Sequence, residues 1–439
     1  MTIPAPLQRS GFRSLWLAGL VSDGGDWLMF IALPLVVYRL TGSALGTSVA
    51  FLAELAPGIV LGPLAGTLAD RCDRRTVMLV VTALQAATLP ALLLVGGGRG
   101  LAIVYAVIVG QAALAALFDP AKNALVPELV PGGELVAANS LLGLEGGLAR
   151  LVGGPLGGVL LAAGDLRAIV IADALSFLAA AVLITRLPAE SGPRDRLPEP
   201  AAAGRSGDSR GGAEPSRPRR LRSPPVRAAL TVTLLAQIAQ GIFLVLFVVF
   251  VARRLQGGPG ETGLLRGVQA VGAIAGGLFL AGGLGRRPAG QLVAGGAIAF
   301  GALSLAVWNA PALTTAPVLF VALFVIVGAP GVVMETGLIS FLQRAVAAGE
   351  RGRVFAAFGV AANAGAAVGM LAAGLLTAPL GLMAVLDAQA ALYLSAGALA
   401  ALTLAGGRRR AALAEFGDAR PGRGAAPGVG RRARVAGDG

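Results

Sequence analysis

Twelve long apolar stretches divide this chain, and its arginines fall almost entirely in every second gap between them. A helix needs about 20 mostly apolar residues to cross a bilayer, because backbone polar groups in lipid must be bonded within the segment. The stretches run roughly over 12–38, 43–69, 76–95, 101–119, 138–162, 167–187, 227–251, 262–282, 289–308, 315–336, 353–378 and 382–405. Composition agrees, since 56% of the 439 residues are hydrophobic and only 13% are charged. A mean hydropathy of +0.77 excludes an ordinary soluble domain. The expected class is therefore an all-α membrane protein with twelve transmembrane helices.

An even number of crossings puts both termini on one side. If that side is the cytoplasm, Arg9, Arg13, Arg71, Arg74, Arg75, Lys122, Arg286, Arg287, Arg344, Arg351 and Arg353 lie inside, with the basic residues of the 186–227 stretch and the tail. Outside fall only Arg39, Arg99, Arg167, Arg253, Arg254 and Arg266, and Arg150 sits within a span. Positive residues remain cytoplasmic during insertion, so the expected location is the cell membrane, multi-pass, with both termini cytoplasmic. The net charge of +13 then reflects topology and contact with anionic lipid, not a nucleic-acid partner. The first apolar stretch is too long for a cleaved signal and carries Asp23 and Asp26. Cys72 is the single cysteine, which rules out an internal disulfide.

The expected organisation is a six-helix bundle over 1–187, a disordered cytoplasmic linker over 188–226, a second six-helix bundle over 227–406 and a disordered tail over 407–439. The linker is rich in Pro, Arg, Gly, Ser and Glu, with no apolar run to build a core. The halves read as copies. Val130, Gly133, Glu134, Gly143, Val152, Gly153, Gly158 and Leu160 recur at one constant offset as Val346, Gly349, Glu350, Gly359, Val368, Gly369, Gly374 and Leu376. Arg39-Leu40-x-Gly42 recurs as Arg254-Leu255-x-Gly257, and Asp173 corresponds to Asp387. Parallel six-helix repeats suit a site between the halves that opens to each side in turn.

The gap after the second span reads Gly66-Thr-Leu-Ala-Asp70-Arg71-Cys-Asp73-Arg74-Arg75. Here the chain resembles the major facilitator superfamily, whose signature at this loop is G-x-x-x-D-R-x-G-R-R, with Asp73 in place of the second glycine. The resemblance implies a fold of two pseudo-symmetric six-helix bundles, and a cytoplasmic latch of Gly66, Asp70, Arg71, Asp73, Arg74 and Arg75 that holds the outward-open state. Physically, Asp70 can accept bonds from a helix N-terminus while the arginines reach carboxylates such as Asp119. Pure topology-determining charge is the competing reading. The fifth span contains Gly153-Gly154-Pro155-Leu156-Gly157-Gly158. It is similar to the glycine-proline motif of exporters in this superfamily, G-x-x-x-G-P-x-x-G-G, with one residue fewer before the glycine pair. Its glycines and Pro155 permit close helix contact and a bend, as rocking halves require, or close packing alone. Further segments resemble the branch holding enterobactin exporters and macrolide efflux pumps: Phe12-Arg13-x-Leu15-Trp16, Gly25-Asp26-Trp27, Tyr38-Arg39-Leu40-Thr41-Gly42-Ser43, Glu54-Leu-Ala-Pro57, Ala138-Asn139-Ser140 and Gly352-Arg353-Val-Phe355.

Ionisable side chains within a span cost ~2.5 kcal/mol or more, so each calls for a partner or a task. At ~1.5 Å rise per residue, Asp23 and Asp26 lie roughly 16–21 Å from the inner end of the first span, on one helix face. Glu54 lies at similar depth in the second span. Arg150 and Asp173 sit at matching depth on consecutive helices, a spacing that allows an ion pair. In the superfamily helices 1, 4, 7 and 10 line the cavity, which implies Asp23 and Asp26 face it with Trp27, Gln111, Gln237, Gln240, Phe243 and Phe247. The chain has no histidine, so a carboxylate must carry any coupling proton. Asp26 leads as the proton-coupling or substrate-binding candidate, then Asp23 and Glu54, with Arg150 as charge partner; a purely structural network of helices 1, 2 and 5 is the alternative.

The expected activity is secondary active transport, proton-coupled efflux of an amphipathic drug, macrolide or siderophore by alternating access. The alternatives are uptake or lipid movement by the same fold, or a transport-inactive receptor or scaffold. No G-x-x-x-x-G-K-[ST] motif is present, which argues against direct drive by ATP. No nucleophile–base or metal constellation points to an enzyme. Expected partners are a small-molecule substrate, protons and the lipid bilayer, with no cofactor, no metal and a monomeric state.

Overall fold

In the computed structural model the described residues are 4–95, 100–164, 166–188, 223–346 and 350–405, without the side chains of residues 63, 66, 67, 69, 70, 71 and 136. Twelve long helices run through them: α1 (Ser10–Thr41), α2 (Ala44–Arg71), α3 (Arg74–Thr88), α4 (Gly100–Leu129), α5 (Leu135–Ala162), α6 (Leu166–Ile184), α7 (Pro224–Arg254), α8 (Pro259–Gly282), α9 (Ala289–Asn309), α10 (Pro317–Ala345), α11 (Arg351–Leu380) and α12 (Leu382–Ala400). Eleven of them are long and apolar enough to cross a membrane. The remaining one, α5, has 28 residues and is the glycine-rich helix that carries Glu145 and Arg150. Large apolar side chains such as Val60, Leu278, Val318 and Val360 stand exposed on the outside of the bundle, as suits a surface solvated by lipid.

The breaks between helices have local causes. At the end of α1, Gly42 takes φ +63°, a left-handed conformation that costs glycine nothing, and Ser43 caps α2 by accepting a bond from the Leu45 N–H at 3.1 Å. In the second half the left-handed residue is Gln256, with φ +54°, one position before the repeated glycine. The repeat therefore preserves the turn but not the residue that makes it. Asp73 caps α3 by accepting from the Thr76 N–H at 2.7 Å, which is the task it performs where the family pattern has glycine.

Helices α1–α6 form one bundle and α7–α12 the other. The repeat is visible in how glycines are used. Gly153 of α5 lies on Gly24 and Trp27 of α1, and Gly369 of α11 lies on Ile238 of α7. On the opposite side of the same two helices, Gly158 meets Pro259 and Gly263 of α8, and Gly374 meets Leu45 and Ser48 of α2. Thus α5 and α11 each clasp the first helix of their own bundle and one helix of the other.

The apolar core is distributed unevenly along the bundle axis. Near the chain termini there are two separate cores. One is built on Phe12, Leu15, Met78, Leu125 and Ile184, and the other on Val226, Val293, Leu342, Val354 and Ala400. Towards the opposite end a single core runs through both halves, from Leu35, Val37 and Phe51 to Phe250, Trp308 and Leu386. The halves are joined at the end far from the termini and parted at the end near them. Polar bonds finish the seal. Ser48 Oγ donates to the Met370 carbonyl at 2.7 Å; Arg253 donates to Tyr38 Oη at 2.7 Å and to the Gly42 carbonyl at 3.2 Å.

Several expectations need correction. α4 does not stop near residue 119 but continues to Leu129, which makes Lys122 a helical residue rather than a loop charge. Arg266 is not an outer-loop arginine; it lies within α8 and is only 8% exposed. Of the expected linker and tail, residues 189–222 and 406–439 lie outside the described residues.

Candidate functional site

The acids of α1 face a cavity of about 340 Å³ inside the first bundle. Its walls carry Asp23, Asp26, Glu54 and Asp173, the amides Gln85 and Gln111, and the rings of Trp27 and Phe30. Asp26 and Glu54 belong to mid-helix positions yet are accessible, because what they expose is the cavity wall. Asp173 is the reverse, 1% exposed, with Ser176 Oγ donating to its carboxylate at 3.2 Å. Gly25 of α1 makes that approach possible: a methyl group there would overlap both Asp173 Oδ1 and Ser176 Oγ. Gln111 is held by donating to the Gln85 carbonyl and to Thr88 Oγ1, both at 3.0 Å, while its own amide oxygen is buried without a partner.

Below the cavity, towards the termini, lies a pair that the sequence did not reveal. Lys122 Nζ of α4 donates to Glu145 Oε1 of α5 at 2.6 Å, with the glutamate side chain 1% exposed. Gly19 of α1 is the socket for this pair, since a side chain there would overlap Glu145 and come within 2.7 Å of Lys122 Nζ. Asp23 lies beside Glu145 and within the field of Lys122. The only signal in the sequence was the run of glycines around the α1 acids, Gly19, Gly24 and Gly25. Gly19 admits Glu145 and Lys122, and Gly25 admits Asp173, to the face of α1.

Arg150 does not pair with Asp173. α5 and α6 are consecutive in sequence and both pack on α1, but α5 meets it at Gly24, Trp27 and Leu28 and α6 at Gly25, so their matching depth does not bring Arg150 and Asp173 together. Arg150 instead lies over the Trp27 ring at 5.8 Å and lines a second cavity of about 410 Å³. That cavity is walled by the second bundle, including Gln237, Gln240, Phe243, Arg266, Glu335 and Tyr393. Gln240 accepts a bond from Tyr393 Oη at 3.0 Å. Phe247, expected as cavity lining, lines neither of these two spaces. It is packed between Phe243 and Phe324, at 5.5 and 5.4 Å, in the core that joins the halves.

Around the expected latch, the side chains of Gly66, Asp70 and Arg71 lie outside the described residues. Arg74 reaches Glu128 and donates to the Ala124 carbonyl at 2.7 Å, rather than to Asp119, because the prolonged α4 brings Glu128 beneath the start of α3. Arg75 donates to the Thr185 carbonyl at 2.6 Å. Both arginines thus tie α3 to helices of its own bundle. The glycines of α5 are divided by face: Gly153 and Gly157 meet α1, whereas Gly154, Pro155 and Gly158 meet α8. No group of three or more His, Cys, Asp or Glu among the described residues is placed to hold a metal ion.

A family model described as transmembrane secretion effector matches residues 1–413. The chain belongs to this family of the major facilitator superfamily. It is 32% identical over 192 residues to an uncharacterised facilitator-type transporter, YfiS, of Bacillus subtilis, covering 44% of this chain and 45% of that protein. It is 31% identical to the multidrug efflux pump Tap of Mycolicibacterium fortuitum over 35% of this chain and 40% of the pump. It is 29% identical to macrolide efflux protein A of Streptococcus pyogenes over 40% and 45% of the two chains. The match therefore spans less than half the length of each of these relatives. Among solved structures, a bacterial homologue of the iron transporter ferroportin in its inward-facing state superimposes with a TM-score of 0.70. That pair shares 18% identity and covers 90% of this chain and 98% of the other, so the likeness speaks for the fold.

Proposed function

We propose that this facilitator is a proton-coupled exporter of amphipathic small molecules, which exposes its central cleft to each face of the cell membrane in turn. The observation that carries the reading is the distribution of apolar core, one shared core at the end far from the termini and two separate cores near them. A barrier that closes one end of a bundle and leaves the other parted is half of an alternating-access cycle. With the termini cytoplasmic, as the arginine distribution favours, this is the inward-open half. Asp23, Asp26, Glu54 and Asp173 around one largely apolar space are the groups for holding a proton during the cycle. None of the ion pairs among the described residues engages Asp26 or Glu54, so both are free to answer to substrate. Export rather than uptake follows the two relatives named as efflux proteins.

A compound-susceptibility screen of a pump-deficient host expressing the chain tests direction, with resistance expected; hypersensitivity means uptake. For a compound so found, Asp26→Asn abolishes pH-gradient-driven movement in everted vesicles at unchanged protein abundance. Full activity of that variant removes Asp26 from coupling.

A further inference from the structure

Against the Trp27 and Phe30 rings lie two guanidinium groups that form no ion pair among the described residues. Trp27 and Phe30 meet edge to face at 4.8 Å, and both line the acidic cavity. Over Trp27 sits Arg150 at 5.8 Å, and over Phe30 sits Arg266 at 5.8 Å. Arg266 is also 5.1 Å from the centre of Phe243. Both arginines line the 410 Å³ cavity and are close enough to repel each other. Neither takes part in an ion pair among the described residues. Arg266 donates to Gln269 Oε1 at 2.9 Å, and Arg150 Nε is buried without a partner. Glu335 lines the same space from α10 without bonding either arginine, so the charged wall there is net positive.

A buried arginine is costly, and two that face each other cost more unless something offsets them. The rings beneath them offset part of that cost by cation–π attraction. A guanidinium lying on a ring keeps its in-plane N–H edge free, and that edge matches the two oxygens of a carboxylate, phosphate or sulfonate. We propose that Arg150 and Arg266 form an anion-binding site in the cleft between the bundles, and that the transported compound is an organic anion whose ring-bearing body lies along Phe243, Phe300 and Tyr393, which line the same cavity. The inference rests on the transporter reading and narrows its substrate class. It also divides the labour across the aromatic wall, protons on the acidic side and the substrate's negative group on the basic side. Arg150 is the one contribution from the first bundle to a cavity otherwise walled by the second. A bound oxyanion would therefore bridge the two moving parts.

The test is equilibrium binding to the full chain in lipid nanodiscs, using two xanthene dyes of similar shape and opposite charge, fluorescein and rhodamine 123. Fluorescein is expected to bind saturably and in preference to rhodamine 123. Arg266→Gln and Arg150→Gln are each expected to weaken fluorescein by about tenfold or more, the loss of one or two charge-assisted hydrogen bonds, without weakening rhodamine 123. Arg266→Lys, which keeps the charge but not the fork, should fall between, and unchanged melting temperatures exclude unfolding as the cause. Loss of fluorescein binding in discs containing phosphatidylglycerol, but not in purely zwitterionic discs, identifies the anion as a lipid headgroup; equal binding in both identifies a soluble one. Absence of saturable fluorescein binding, or binding indifferent to both glutamine variants, overturns the proposal. Active export of rhodamine 123 together with either of those results would leave the exporter reading standing and remove the anion site alone.

Discussion

Closure of the end far from the termini depends on α5 and α8 approaching with no side chain between them, which Gly263→Ala tests. An added methyl at Gly263 would fall on the Gly154 carbonyl oxygen and within 2.9 Å of Gly158 Cα. Carbon–oxygen contacts of this kind settle at about 3.3–3.6 Å, so the helices must part by roughly 1 Å. Overpacking of this size costs about 1–3 kcal/mol. The gain of about 1 kcal/mol from replacing glycine by alanine in a helix acts in both states and cancels from their balance. The penalty therefore falls on the closed end alone and shifts the equilibrium about 5- to 150-fold towards opening there. Spin labels at Arg39→Cys and Arg254→Cys, in a Cys72→Ser background, report the separation of the two halves at that end. The short-distance population should shrink and a longer one appear. Gly154→Ala is the milder comparison, because its methyl would stand 3.3 Å from the Gly263 carbonyl oxygen and should change the distances far less. An unaltered distance distribution in Gly263→Ala, or an equal change in Gly154→Ala, would refute the reasoning.

Lys122→Met alone leaves Glu145 buried without its cation and should destabilise the protein by about 3–5 kcal/mol, whereas adding Glu145→Leu should recover most of the loss; thermal denaturation of the purified protein measures both. At the periphery, Arg9 Nε donates to Glu134 Oε2 at 3.0 Å, and this bond pulls the Glu134 carboxyl below its usual value of 4.5. Because the folded value is the lower one, the contribution is present above the unfolded value and is lost as pH falls through the folded value. The difference in melting temperature between the protein and Glu134→Gln should be present at neutral pH and vanish in acid.

Much of the architecture was legible without coordinates, since apolar length and arginine placement are local quantities that the bilayer reads segment by segment. The cavity acids Asp23, Asp26 and Glu54 were legible for a similar reason: a charge in an apolar run stands out whatever surrounds it. Partners were not legible. Arg150 and Asp173 match in depth but not in direction, and Arg74 finds Glu128 because α4 runs further than its hydropathy suggested. Lys122 and Arg266 were misread as topology charges because each lies near the edge of its apolar stretch.

The order of apolar stretches along the chain by itself thus determined an all-α membrane protein of long helices, because a lipid solvent leaves a long apolar segment no other outcome than a helix. Which charges meet, and which are left facing empty space, was decided only when six helices packed side by side. Glycines on one helix admit the acids of its neighbours, and aromatic rings stand between acid and arginine. Those relations depend on rotation about each helix axis, a quantity set by the packing of all the helices together and written in no single stretch of sequence.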